Sequence, residues 1–258
     1  MNFNYRISRR AFLAGTASAG ALAVMHPFAV LAAAGQAHLR IMETTDLHVA
    51  VFPYDYYADA PNDTLGLART AAIIDSIRAE AGNSILVDNG DVIQGNPMGD
   101  YIAYEKGIED GETHPIIAAM NTLGYEIGTL GNHEFDLGPG PLADFVNGAR
   151  FGILSANLDA SREPKLNGKI KPYAMVRVGG ETLGIIGLTT PDTSIIANPG
   201  PTLSFTDPVA ATQNSVNQLL ARGVNKIIVL SHLGYLADME LARKVVGTQV
   251  IVGGHSHT

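Results

Sequence analysis

Seven residues of this chain carry side chains suited to holding divalent cations, and they stand in short, repeated spacings. Asp46 and His48 are separated by one residue, and His255 and His257 repeat that spacing. Asp91 follows Gly90, Asn132 follows Gly131, and His232 follows Ser231. Carboxylate, imidazole and amide oxygen without thiolate suit zinc, manganese, iron or cobalt. In an extended segment, residues two apart project to the same side, so each Asp/His or His/His pair is expected to converge on one point. Seven donors are enough for two divalent metal ions that share one carboxylate. Such a site clamps a phosphoryl group for in-line displacement, with the cations roughly 3.5–4 Å apart.

These donors need positioning, and the hydropathy pattern supplies the elements. Leu39–Thr44, Ser84–Val87, Glu126–Leu130, Phe151–Ala156, Lys226–Ser231 and Gln249–Val252 read as buried strands, and Leu65–Ala81, Pro115–Leu123, Gly140–Gly148, Asp207–Arg222 and Ala237–Val246 as helices. Tyr173–Val178 and Thr182–Leu188 alternate about Gly179-Gly180, the pattern of a hairpin with a two-glycine turn. The order is β-α-β with at least one antiparallel pair, hence an α/β fold with a layered mixed sheet and flanking helices. Five strand ends each run into an Asp, Asn or His, and five of the eight histidines lie there. Loops at the carboxyl ends of strands meet at one edge of such a fold, where ligands bind. Singly, Asp46 is explicable as a turn cap and Asn132 and Asp136 as local turn formers; five coincidences in one order are not explained that way.

Composition narrows the chemistry. Hydrophobic residues make up 46% and charged ones 16%, the balance of a globular enzyme. The absence of cysteine excludes disulfides, zinc-thiolate sites and iron–sulfur clusters. The net charge of −8 repels nucleic-acid polymers and anionic lipid, so a phosphate-bearing ligand needs a local positive centre, for which bound cations are the natural candidates.

Residues 1–37 read as an address rather than a fold. Ser8-Arg9-Arg10-Ala11-Phe12-Leu13 is a twin-arginine sequence, followed by a mildly apolar stretch and Ala32-Ala33-Ala34 for cleavage. A membrane anchor needs about 20 strongly apolar residues, whereas this stretch is glycine-rich and broken by Pro27. The expected partners are therefore the twin-arginine export machinery and a periplasmic substrate, with no stable membrane anchor.

Residues 38–258 resemble the calcineurin-like metallophosphoesterase superfamily, whose blocks D-x-H, G-D, G-N-H-[ED] and a later H followed by G-H-x-H occur here in order. The resemblance implies a four-layer α/β/β/α sandwich, incomplete here at its C-terminus. It implies that Asp46, His48 and His257 hold one metal, that Asn132, His232 and His255 hold the other, and that Asp91 bridges. His133 would be the acid that protonates the leaving oxygen, and Asp136 would orient it.

Gly-Asn-His-Glu-Phe-Asp is similar to the nucleotidase branch. The segments 53–59 and 88–97 resemble bifunctional 2',3'-cyclic-nucleotide 2'-phosphodiesterase/3'-nucleotidases, as does Val49, where 5'-nucleotidases carry Gly. The implied substrates are nucleotides. A 5'-nucleotidase/UDP-sugar hydrolase, a thiosulfate-oxidation hydrolase and a non-catalytic binding protein on the same fold are the rivals. Members of the branch continue into a C-terminal domain whose aromatic rings sandwich the base, so this chain is expected to be an N-terminal fragment.

Overall fold

The computed structural model describes residues 38–109 and 112–258. The signal segment expected over residues 1–37 lies outside them. Ala37–Thr258 forms one compact unit. Among the described residues no helix is long and apolar enough to cross a membrane.

The first sheet is all parallel, in the order β1 (Arg40–Thr44), β4 (Ser84–Asp88), β5 (Ile127–Thr129) and β6 (Gly152–Leu154). Parallel neighbours require crossovers. Three of the intervening helices, α1 (Leu67–Glu80), α3 (Pro115–Leu123) and α4 (Pro139–Gly148), pack on one face of this sheet. The second sheet is β8 (Tyr173–Val178), β9 (Glu181–Thr189), β11 (Lys226–His232) and β12 (Val250–Gly253), adjacent in that order. Its only antiparallel pair is the predicted hairpin β8–β9, where Gly179 and Gly180 both take positive φ, 59° and 83°. Helices α6 (Pro208–Ala221) and α7 (Tyr235–Lys244) cover its outer face.

The strands read as unbroken apolar runs because both of their faces are buried. Ile85 and Val87 of β4 meet Ile185 of β9 and Ile228 and Leu230 of β11 in the layer between the sheets. The residues of opposite parity face the helices: Leu86 packs with Ile74, Ile116 and Met120, and Ile186, Ile227 and Val229 with Val216 and Leu219. The result is the α/β/β/α sandwich. The ends of its helices are fixed locally. Asp207 caps α6 through the N–H groups of Val209 and Ala210 ahead of Pro208, and left-handed Gly124 closes α3.

Pairs of two-residue strands were not foreseen: β2 (Tyr54–Asp55) with β3 (Ala60–Pro61), and β7 (Leu158–Asp159) with β10 (Ser204–Phe205). They are too short to carry a periodic pattern. Helix α2 (Pro97–Asp100), which runs into a π-helical turn at Tyr101–Lys106, and α5 (Thr193–Ile196) are unforeseen for the same reason.

Candidate metal centre

The carboxyl ends of β1, β4, β5, β11 and β12 carry the predicted donors to one edge of the sandwich, and the side chains gather there in two groups. In the outer group, Asp46, His48 and His257 have ligand atoms within 4.8 Å of one another; in the inner group Asp91, His232 and His255 do. His257 Nε2 lies 3.1 Å from Asp46 Oδ1 and 3.3 Å from His48 Nε2, and His232 Nε2 lies 3.1 Å from Asp91 Oδ2. Asn132 sits beside them, buried, at the start of the 3₁₀ turn His133–Phe135.

One premise of the sequence reading is corrected. The D-x-H and H-x-H segments are not extended. Asp46, His48, His255 and His257 have φ of 52°, 42°, 74° and 52°, and Asp91 has 58°. Left-handed backbone at a non-glycine residue costs on the order of 1–3 kcal/mol and persists only where the surroundings over-determine it. Here they do: Asp46, His48 and Val49 donate their N–H groups to the carbonyls of Gly90, Asp91 and Val92. Val49 itself, β-branched and buried, has φ 60°, a conformation native to glycine. A further consequence is that His255 and His257 do not converge on one point; they are shared between the two groups.

Glycine at two positions lets the motifs interlock. A Cβ on Gly90 would collide with the Gly131 backbone, and a Cβ on Gly131 would fall on the Asp91 carboxylate. Each glycine is thus demanded by the other loop. The same pair of loops is tied by Glu134, fully buried, whose carboxylate accepts the N–H groups of Gly131 (2.7 Å), Asp91 (2.8 Å), Val92 and Ile93. Burial and then Asp91 push the Glu134 carboxyl up, while the backbone donors pull it back. The sequence reading missed this role, although Glu134 stands in the Gly-Asn-His-Glu block. It also missed Asn89, whose amide reaches the carbonyls of Val252 (2.7 Å) and Ser231 and so joins the two sheets at the site.

The donor set tests whether cations fit. His232 Nδ1 lies 2.6 Å from the Asn89 carbonyl, and His48 Nδ1 lies 2.9 Å from that of Gln94. A carbonyl can only accept, so both rings carry a proton on Nδ1 and turn the Nε2 lone pair toward the site. His232 Nε2 and Asp91 Oδ2 then face each other as two acceptors. Asp46 Oδ1, Asn132 Oδ1 and His232 Nε2 are all buried without a hydrogen-bond partner. Buried atoms left so cost free energy unless something positive lies between them. In the bare protein a proton takes that place: burial alone would lower the His232 pKa, but Asp91 and then Asp46 outweigh it and push it up to about 9. The field that raises proton affinity here also favours a divalent cation. The two groups therefore fit divalent cations, and Asp91 lies between them, its ligand atom also within 4.8 Å of those of His48 and His133.

His133 lies beside the outer group, its ring centroid 5.0 Å from that of His48 in an edge-to-face arrangement. Its Nδ1 is 2.6 Å from Asp136 Oδ2, its backbone N–H donates to Asp91 Oδ1 at 2.8 Å, and the Asp136 contact above all raises its pKa.

Four layers with Asp, His and Asn donors meeting where both sheets end define the metallophosphoesterase class. The chain belongs to the calcineurin-like phosphoesterase family, whose model matches residues 39–258. A snake venom 5'-nucleotidase of Gloydius brevicauda is 41% identical over 236 residues, covering 89% of this chain and 39% of the relative. A 2',3'-cyclic-nucleotide 2'-phosphodiesterase/3'-nucleotidase of Salmonella typhimurium is 38% identical over 237 residues, covering 85% and 36%. Among solved structures, a 5'-nucleotidase precursor from Thermus thermophilus superposes with a TM-score of 0.74 at 52% identity, covering 85% of this chain and 42% of that one. The chain thus spans about two fifths of the length of these relatives.

Proposed function

We propose that this chain carries the metal centre of an exported nucleotide phosphoesterase that opens 2',3'-cyclic nucleotides to 3'-nucleotides and then releases phosphate. The observation that carries the reading is the pair of donor groups linked through the proximity of Asp91 to His48 and His133, with Asp46 Oδ1, Asn132 Oδ1 and His232 Nε2 buried and unpartnered. Asp46, His48 and His257 would hold one divalent cation, Asn132, His232 and His255 the other, and Asp91 both. Such cations supply Lewis-acid stabilisation of phosphoryl oxygens and lower the pKa of a water nucleophile.

The protein's own residues supply the rest. Asp136 accepts the Nδ1 proton of His133, which fixes the tautomer and leaves Nε2 to carry a second proton. The raised pKa keeps that proton available near neutral pH, and His133 delivers it to the leaving oxygen. The same role serves both steps, because a ribose oxygen leaves in each. Glu134 and Asn89 act through other residues: they hold the loops that present Asp91 and His232.

The cyclic-nucleotide reading is supported by the loops 53–59 and 88–97 and by the activity for which the Salmonella relative is named. A second reading, 5'-nucleotide hydrolysis, is supported by the Thermus structure, whose identity to this chain is higher. Assaying the full-length protein with manganese or cobalt on cyclic, 3'- and 5'-nucleotides separates them. Turnover of cyclic and 3'-nucleotides is expected, and exclusive turnover of 5'-nucleotides overturns the first reading. In the same assay, His133→Asn should cut turnover by about 10²–10⁴-fold with metal content retained. Export by the twin-arginine route is part of the proposal. Arg9→Lys with Arg10→Lys should leave the protein in the cytoplasm; unchanged export would remove that route.

A further inference from the structure

On the helix side of the first sheet lies a chamber of about 350 Å³. Its walls include the buried, apolar Ile93, Ile102 and Phe145, and the π-helical turn contributes Ala103 and exposed Tyr104. His114 also lines it, with only 9% of the residue exposed and its Nδ1 without a hydrogen-bond partner. A buried orphan nitrogen on a cavity wall calls for a ligand or water to pair with. Burial holds the His114 pKa down at about 4, so the ring is neutral near pH 7 and adds no positive charge to the chamber.

The chamber opens into a second cavity of about 290 Å³, with which it shares Ile108, Glu112 and Asp144 and to which Glu109 adds a third carboxylate. Lys106 pairs with Glu112 at 3.0 Å. Lys169 donates to Asn147 of the same wall at 2.8 Å, and among the described residues Asp144 has no basic partner, so three carboxylates against two ammonium groups leave a single negative charge in excess. An apolar chamber behind an acidic antechamber, with a tyrosine ring in the wall, matches one kind of ligand: an apolar body carrying a positive charge.

We propose that this pair of cavities binds a small organic cation, its apolar body in the chamber with a hydroxyl group donating to His114 Nδ1, and its ammonium group among the antechamber carboxylates. None of the residues involved is a candidate metal ligand, and the site is separate from the phosphoesterase reading. It does touch the catalytic edge indirectly. Ile93 and Leu137 line the chamber, and their neighbours Gln94 and Asp136 orient His48 and His133.

The test is a titration of the full-length protein at pH 7.5 with tyramine and with its uncharged counterpart tyrosol, followed by NMR or calorimetry. The amine is expected to bind about fivefold more tightly, the effect of a partly exposed ion pair of about 1 kcal/mol. Asp144→Asn should bring the two affinities together, and Ala103→Phe, which fills the chamber, should abolish both. Equal affinities for amine and alcohol, no saturable amine binding, or amine binding unchanged by Ala103→Phe would each overturn the proposal.

Discussion

Asp91, Asn132 and His232 are nearly sealed from solvent, whereas His257, facing Asp46 across 3.1 Å, leaves 61% of its side chain exposed. The inner group is drawn from the ends of β4, β5, β11 and β12, the outer from those of β1 and β12, and left-handed residues serve both, so neither the sheets nor the turns separate them. What sets the inner group apart is its backing by the Glu134 carboxylate and by Asn89, which spans the sheets. Side chains braced by buried partners are placed by the core, so their geometry is as stiff as the sandwich. An exposed side chain such as His257 depends on a few backbone bonds, and a ligand can move it more cheaply. On the proposed reading, a cation in the inner group would be held more tightly than one in the outer group.

The largest effect should come from Asp91, which belongs to the inner group and whose ligand atom also lies within 4.8 Å of that of His48 in the outer one. Asp91→Ala removes the bridge and leaves His232 facing no carboxylate. Turnover should fall by roughly 10³-fold or more, with loss of both metals on elemental analysis. If one full equivalent of metal stayed bound, Asp91 would not be the bridge.

His257→Ala separates the groups directly. The outer cation should weaken by about 100-fold, while the inner one stays, so that metal titration shows one tight site where the parent shows two. Equal weakening of both sites would erase the distinction drawn here.

Glu134→Gln tests the backing of the inner group without touching a donor. It exchanges a carboxylate that accepts four backbone N–H groups for an amide with one acceptor oxygen. Stability should drop by about 3 kcal/mol in chemical unfolding. Unfolding at the parent's midpoint would mean that Glu134 does not hold the loops.

An effect absent at neutral pH and confined to acid should arise outside both groups, at His114. Its folded pKa, about 4, lies below the ordinary 6.5, so the unfolded chain binds the proton more readily. The stability this neutral ring permits is full above pH 6.5 and is lost as pH falls toward 4, by up to about 3 kcal/mol. His114→Phe should flatten that part of the stability profile, measured on metal-free protein. A profile unchanged by the substitution would place the acid sensitivity at the metal centre instead.

The fold could be read from the sequence wherever burial leaves a pattern. Ile85–Val87, Ile185–Ile186 and Ile227–Leu230 are apolar on consecutive residues because two layers cover them, and each is a strand in the structure. The donors could be read because each follows a strand or a glycine, the places where loops of such a fold meet. The sequence by itself therefore determined the long strands, the helices that cross between them and the family, and it singled out the seven candidate donors with His133 and Asp136.

The tertiary structure decided how those donors are held. The division of His255 and His257 between the groups follows from the family resemblance and from no local pattern, since it depends on Asp46 and Asp91, more than a hundred residues away in sequence. Nor does a local pattern show that Asp46 and His48 are left-handed, because the bonds enforcing that come from the carbonyls of Gly90 and Asp91. Glu134 looks like one more acid until the loops close around it and leave four N–H groups with no other acceptor. Periodicity records which face of an element is buried; it carries no record of which distant backbone group a side chain will meet, and the metal centre is made of such meetings.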